Sequence, residues 1–113
     1  MSKTDVAGRP LRRSEFVIRF ESPKAMRGWT DVLAVRRNAL VDAWEKLTQA
    51  PLVSTELCYP MTNDFAVIVR NGQSHDRWQL KLNQRDGVRI WYYVVGQTVF
   101  IEKVHTSHPN ETK

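Results

Sequence analysis

Residues 77–82 read RWQLKL and residues 88–95 read VRIWYYVV, and these two segments decide the predicted fold. Apolar side chains alternate with polar ones in the first segment, and the second segment is rich in β-branched and aromatic residues. Both patterns are typical of β-strands. The Asp86-Gly87 pair between them favours a turn with positive φ. We therefore predict that the two segments form an antiparallel hairpin.

Two more strands are predicted beside this hairpin. Residues 65–69 read FAVIV, and the Asn71-Gly72 pair that follows predicts a two-residue turn into the RWQLKL strand. On the other side, Gly96-Gln97 predicts a turn into a last strand over residues 98–106. The C-terminal half is thus expected to be a four-stranded antiparallel run that forms one sheet.

One strand and two helices are predicted before this sheet. Residues 15–21 read EFVIRFE and alternate with the period of a strand. Ser22-Pro23 predicts the start of a helix that runs to about Ala34, because Ser caps helices and Pro is tolerated at their first position. A second helix is predicted over residues 36–49, where an apolar stripe recurs at helical spacing. The order indicates an α+β fold, with a helical hairpin packed on one face of the sheet.

Length and composition favour one globular domain. The chain has 113 residues, of which 42% are hydrophobic and 26% charged, a balance typical of folded domains. Residues 1–14 are polar and basic, so we expect a flexible arm there and a single domain over residues 15–113. Cys58 is the only cysteine, which excludes an intramolecular disulfide and a zinc ribbon. No apolar run approaches the ~20 residues of a membrane span, and the start lacks an apolar signal segment, so we expect a cytoplasmic protein.

The charges favour a nucleic-acid partner. The chain has 17 Lys and Arg against 12 Asp and Glu, and 11 of the 17 are Arg, whose guanidinium binds phosphate bidentately. If the apolar residues of the two central strands face the helices, the other face is expected to be open. That face would carry Arg77, Gln79, Lys81, Arg89, Trp91 and Tyr93. Cations and flat rings together are what RNA-binding sheets use, although an ordinary solvated face stays open as an alternative.

The histidines near the C-terminus are candidates for proton transfer. His105 lies at the end of the last predicted strand and His108 follows that strand closely. Either could act as acid or base beside Lys81 and Arg89. The reaction would be cleavage of an RNA phosphodiester, in which the 2′-OH attacks the adjacent phosphate. A surface or structural role for each histidine is equally open. A zinc site from these two histidines and Cys58 lacks a fourth ligand and a usual spacing, so no metal or other cofactor is expected.

The central hairpin resembles that of the RelE/ParE superfamily of toxins. In that family a Trp/Tyr–x–Leu/Ile–Lys strand precedes an Arg–Ile/Leu–x–Tyr strand, and here residues 78–81 read WQLK and residues 89–92 read RIWY. The resemblance covers residues 15–113 and implies a microbial-ribonuclease type of fold. Gln79 departs from it, because some RelE members have Lys there. The absence of a Tyr near the C-terminus is a second departure. The resemblance then implies that a His transfers the proton, as in the HigB and YoeB branches.

The resemblance also implies a function. The chain would be the toxin of a type II toxin–antitoxin pair, a metal-independent and ribosome-dependent mRNA endonuclease that inhibits translation. Lys81 and Arg89 would hold and stabilise the scissile phosphate, and His105 or His108 would transfer the proton. The implied RNA-binding residues are Arg77, Trp91, Tyr93 and Lys113.

The implied partners are the ribosome, mRNA and a cognate acidic antitoxin, with no membrane and no small-molecule cofactor. Two alternatives stay open. One is a ParE-like inhibitor of DNA gyrase that is not a nuclease, because the two branches share a fold and a fold does not decide function. The other is an RNA-binding module without catalysis.

Overall fold

The computed structural model describes residues 15–85 and 87–106. The predicted arm over residues 1–14 lies outside the described residues, as do Asp86, His108 and Lys113. The chain forms seven strands, two α-helices and one turn of 3₁₀ helix within the described part. In order these are β1 (Val17–Phe20), α1 (Pro23–Val35), α2 (Arg37–Gln49), β2 (Cys58–Pro60), the 3₁₀ turn (Asn63–Phe65), β3 (Val67–Arg70), β4 (Gln73–Asp76), β5 (Trp78–Lys81), β6 (Arg89–Val95) and β7 (Thr98–His105).

Five of the strands form a mixed sheet in the order β1-β7-β6-β5-β2. Strands β5, β6 and β7 pair antiparallel, as predicted for the hairpin at residues 77–95 and for the last strand. The first strand is parallel to β7, and β2 adds an antiparallel edge next to β5. The α+β class, the N-terminal strand and the two helices are therefore confirmed, whereas a purely antiparallel sheet is wrong.

The strand predicted over residues 65–69 lies outside this sheet. Asn71 and Gly72 have φ of 53° and 77°, so the predicted turn forms there. It joins β3 to residues 73–76 instead of to the RWQLKL strand, and β3 and β4 make a separate two-stranded hairpin. Arg77 interrupts the strand, since its backbone N–H bonds to Ala66 at 2.9 Å and its carbonyl accepts from Met61 at 2.8 Å. The prediction of one four-stranded sheet is therefore wrong.

The helices cover one face of the sheet. Ser22 caps α1 as predicted, with its Oγ accepting from the Ala25 N–H at 3.1 Å. Gly28 lies in the middle of α1 against β7, where an added Cβ would be 2.9 Å from Val104 Cβ. Its missing side chain thus permits a close approach of helix to strand. The core between the two layers is formed by Ala25, Val32, Leu40, Ala43, Leu47, Cys58, Trp78, Leu80, Val88, Ile90, Tyr92, Val99 and Ile101.

No helix in the described part of the chain is long and apolar enough to cross a membrane.

Candidate functional site

The second face of the sheet carries the residues that the sequence singled out, and most of it is covered. We call it the hairpin-side face, because the β3–β4 hairpin and the 3₁₀ turn lie over it. Phe65 contacts Trp91 with ring centroids 5.4 Å apart, and His75 stacks on Tyr93 at 5.2 Å. Gln79 and Tyr93 are only 4% exposed. The expectation that these residues share an open face is therefore wrong.

Two bidentate ion pairs hold the covering hairpin to the sheet. Arg70 donates from Nε and Nη2 to the Glu21 carboxylate at 2.9 and 3.1 Å. Arg77 donates in the same way to Glu102 at 2.8 and 3.0 Å. The side chains of Arg77 and Glu102 are 13% and 8% exposed, so this pair lies largely out of water. Arg77, a predicted RNA contact, is thus engaged inside the molecule.

Tyr93 belongs to the same polar network. Its hydroxyl donates a hydrogen bond to the Glu21 carboxylate. Burial would raise the pKa of Glu21, but hydrogen bonds from Arg70 and Tyr93 and the charges of Arg70 and Arg77 outweigh it and hold that pKa below its usual value. Burial and the adjacent carboxylate raise the pKa of Tyr93 to about 12. Tyr93 therefore has a structural role, and its ring stacks between those of His75 and Phe100.

Three predicted catalytic residues come together at one end of this face. Lys81 on β5 is the cross-strand partner of Arg89 on β6, and Arg89 is the partner of His105 on β7. Directly opposed residues in antiparallel strands have Cα atoms about 4.5–5.5 Å apart and side chains on one face. We call these three residues the basic row. They are all partly exposed.

Two nitrogens in the basic row lack a hydrogen-bond partner in the described part of the chain. Arg89 Nε and His105 Nε2 are buried and make no hydrogen bond with any described residue. Buried polar atoms are normally satisfied, because an unpaired donor or acceptor costs about 1–3 kcal/mol. An unpaired buried nitrogen in a folded protein calls for an explanation, and a catalytic role or a bound water or ion is among the usual ones.

His105 lies in a positively charged environment. Burial has the largest effect and lowers the pKa of His105, and the charges of Lys103 and Arg89 lower it further. Glu102 opposes them with a smaller effect, and Lys24 adds the smallest lowering. The imidazole is therefore neutral near pH 7 and can accept a proton. Trp91 packs edge-on against this ring, with centroids 4.7 Å apart.

Trp91 is enclosed by its neighbours on this face. Its indole N–H donates to Gln79 Oε1 at 2.8 Å, and the buried Gln79 donates in turn to the Tyr59 hydroxyl at 2.9 Å. The charged groups of Arg77 and Lys103 lie 5.6 and 5.4 Å from the centre of the indole ring. These contacts position Trp91 beside His105 and leave little of its ring for stacking on a base. Gln79, the departure from the RelE pattern, is thus the residue that orients Trp91.

The zinc alternative gains no support from the described residues. Cys58 is fully buried in the core, where its Sγ lies 3.0 Å from the Tyr92 hydroxyl, and burial raises the pKa of the thiol. In residues 15–85 and 87–106, no three His, Cys, Asp or Glu side chains lie close enough together to hold a metal ion. His108 and Lys113, the other C-terminal candidates, are outside these ranges.

Sequence reasoning missed two cations near the basic row. Lys103 is two residues before His105 on β7, so strand alternation could have placed it on the same face. Lys24 comes from α1 and reaches the same neighbourhood through tertiary packing, for which the sequence holds no signal.

No family model, curated protein or solved structure significantly matches this chain. The geometry of the basic row and the resemblance of the central hairpin are therefore the basis for a functional proposal.

Proposed function

We propose that this chain is a RelE-like toxin of a type II toxin–antitoxin pair and that it cleaves mRNA as an endoribonuclease. The observation that carries the proposal is the basic row, in which Lys81, Arg89 and His105 are neighbours on three hydrogen-bonded strands. Cleavage of RNA by its own 2′-OH requires a cation at the phosphate and a group that takes a proton. The row contains both.

Arg89 is the residue best placed to stabilise the phosphate. It lies on β6, which is hydrogen-bonded on both sides, so its backbone position is rigid. A guanidinium can donate two parallel hydrogen bonds to a phosphate, whereas Lys81 acts as a point charge. When the 2′-oxygen attacks phosphorus, negative charge grows on the non-bridging oxygens, and Arg89 is the group that stabilises it.

His105 takes the proton in this mechanism. Its neutral imidazole accepts the proton of the 2′-OH while the bond from the 2′-oxygen to phosphorus forms. The bond from phosphorus to the 5′-oxygen then breaks, and the departing oxygen takes a proton from water. The products are a 2′,3′-cyclic phosphate and a free 5′-OH. His108 is the second candidate for proton transfer, and it lies outside the described residues.

A cognate antitoxin would act at the same place. The chain carries a net charge of +5, and the covering hairpin leaves the basic row at the end of the hairpin-side face partly exposed. An acidic segment bound there would neutralise Lys81 and Arg89 and block access of RNA.

The test compares single variants of the full chain in a purified translation system, with mRNA cleavage as the readout. Arg89→Ala should reduce cleavage at least about 100-fold, as loss of an oxyanion donor does. Lys81→Ala should cost less, and His105→Ala should reduce cleavage by about 10²–10⁴-fold. Arg85→Ala removes the same charge from an exposed residue of the β5–β6 linker and should have little effect. Cleavage should survive a zinc-selective chelator that leaves the Mg²⁺ of the ribosome in place.

Two outcomes would contradict the nuclease proposal. One is cleavage that is equally strong in Arg89→Ala, His105→Ala and Arg85→Ala, with urea unfolding showing all three folded. The other is a chain that leaves mRNA intact but inhibits supercoiling by gyrase, which would favour the ParE-like alternative.

A further inference from the structure

The second half of β7 has a free edge. The first strand pairs with β7 only as far as Ile101, so Glu102–His105 have no strand on that side among the described residues. The start of α1 faces this free edge, and a cavity of about 290 Å³ lies between them. We call it the edge cleft. It is lined by Ser22, Lys24, Ala25, Glu102, Lys103, Val104 and His105.

Positive charge dominates the edge cleft. Lys24 and Lys103 contribute two cations, and neither has a carboxylate partner among the described residues. Among the described residues that line it, Glu102 is the one acidic side chain, and both of its oxygens already accept hydrogen bonds from Arg77. The charge of this carboxylate is therefore balanced within the protein. Lys24 is available to an anion, and Lys103, whose ammonium lies 5.4 Å from the Trp91 ring, is the second cation at the cleft.

The position of Lys24 has no apparent structural benefit. It lies in the first turn of α1, which contains no acidic residue. A cation in the first turn opposes the helix dipole, whereas an acidic residue there would stabilise the helix by about 0.3–1 kcal/mol. An anion bound in the cleft would offset this repulsion. Ser22 adds a donor, because its Oγ accepts from the Ala25 N–H and its own proton is left to donate.

His105 connects the edge cleft to the basic row. It is the cross-strand partner of Arg89 and also lines the cleft. We propose that the edge cleft is a second phosphate subsite, which binds the backbone phosphate next to the scissile one through Lys24, Lys103 and Ser22. An RNA strand would then pass from Lys81 and Arg89 over His105 into the cleft. This inference rests on the proposed function and specifies on which side of His105 the substrate continues.

The probe is a fluorescein-labelled single-stranded DNA, which lacks the 2′-OH and is therefore not cleaved. Its binding to the full chain is measured by fluorescence anisotropy at several salt concentrations. Lys24→Gln should weaken binding about 3- to 10-fold at low salt and reduce the salt slope by about 0.7, the value for one phosphate contact to a single strand. Arg27→Gln removes an exposed cation from the same helix outside the cleft and is the matched control. It should leave affinity and slope unchanged.

Inorganic phosphate gives a second readout that does not depend on RNA. Titrated into the full chain, it should shift the backbone NMR signals of Lys24 and Ala25 and the ring signals of His105. The subsite is overturned if Lys24→Gln and Arg27→Gln bind alike, or if phosphate shifts only the signals of Lys81 and Arg89. The nuclease proposal survives that result when Lys81→Gln still weakens binding, and it fails separately when Arg89→Ala leaves cleavage unchanged.

Discussion

His105 experiences more positive than negative charge. Burial disfavours its protonated form most strongly, and the charges of Lys103 and Arg89 act in the same direction. Glu102 opposes them with a smaller effect, and Lys24 adds the smallest one, in the direction of the other cations. At the scale of one residue, the cations to which we assign phosphate binding in our proposal also disfavour protonation of the neighbouring imidazole. The neutral ring is the form that a general base requires.

This environment predicts a pH dependence. The His105 ring signals, followed by NMR, should titrate with a midpoint below about 6.5, the ordinary imidazole value. RNA cleavage should fall as the pH drops through that midpoint, because a protonated ring cannot accept the 2′-OH proton. Arg89→Gln removes one positive charge and should raise the midpoint, whereas Lys46→Gln on α2 should leave it unchanged. A wild-type midpoint above 6.5 would contradict this account of the site.

At the scale of elements, the packing of α1 on β7 depends on one glycine. A Cβ at residue 28 would lie 2.9 Å from Val104 Cβ and 3.0 Å from the Val104 carbonyl oxygen. Both contacts are too short, and one of the two atoms is backbone, which cannot rotate away. The sequence shows only a helix with an unfavourable residue at its centre, whereas the structure shows why that residue is needed.

Gly28→Ala should therefore destabilise the protein, although Ala is favoured over Gly by about 1 kcal/mol in a helix interior. We expect the free energy of unfolding, measured in urea, to fall by about 1–3 kcal/mol, the usual cost of overpacking. Asn38→Ala, at an exposed position of α2, is the control and should be neutral or slightly stabilising. Equal or greater stability of Gly28→Ala would show that α1 can move away from β7 without cost.

At the scale of the whole molecule, the sheet lies between a helical layer and the β3–β4 hairpin. The contact on the hairpin side is largely polar and aromatic, with the Arg70–Glu21 and Arg77–Glu102 pairs beside the Phe65–Trp91 and His75–Tyr93 ring contacts. Ion pairs hold such a layer only while both partners are charged.

The hairpin contact should weaken in acid. The pKa of Glu21 is held below its ordinary value in the folded protein. The charged carboxylate therefore contributes fully to the free energy of unfolding above about pH 4.3, and this contribution is lost as the pH falls through the folded-state pKa. Glu21→Gln should lower the free energy of unfolding by about 1 kcal/mol at pH 7, a modest value because Arg70 is partly exposed. Urea unfolding should show this difference shrinking towards pH 3, while Glu45→Gln on α2 has little effect at either pH. A difference that persists undiminished in acid would show that charge is not what holds the contact.

The alternation of residues 77–95 determined much of the core by itself. Trp78, Leu80, Ile90 and Tyr92 face the helices as the period-two pattern predicts, because burial of apolar side chains decides which face turns inward. The helix bounds also followed from local signals, since Ser22 and Pro23 act on the backbone that they belong to. The same alternation placed Lys81 and Arg89 on one face, and strand order then brought His105 beside them.

Tertiary structure alone decided what covers the other face. The sequence of residues 65–76 marks a strand and a turn correctly, but a turn signal does not specify which sheet the strand joins. The hairpin docks on Trp91 and Tyr93 because Glu21 and Glu102, which come from opposite ends of the chain, supply carboxylates for Arg70 and Arg77. The approach of Lys24 to His105 has the same origin. Pairings across this many residues depend on how the layers pack, and no local pattern encodes them.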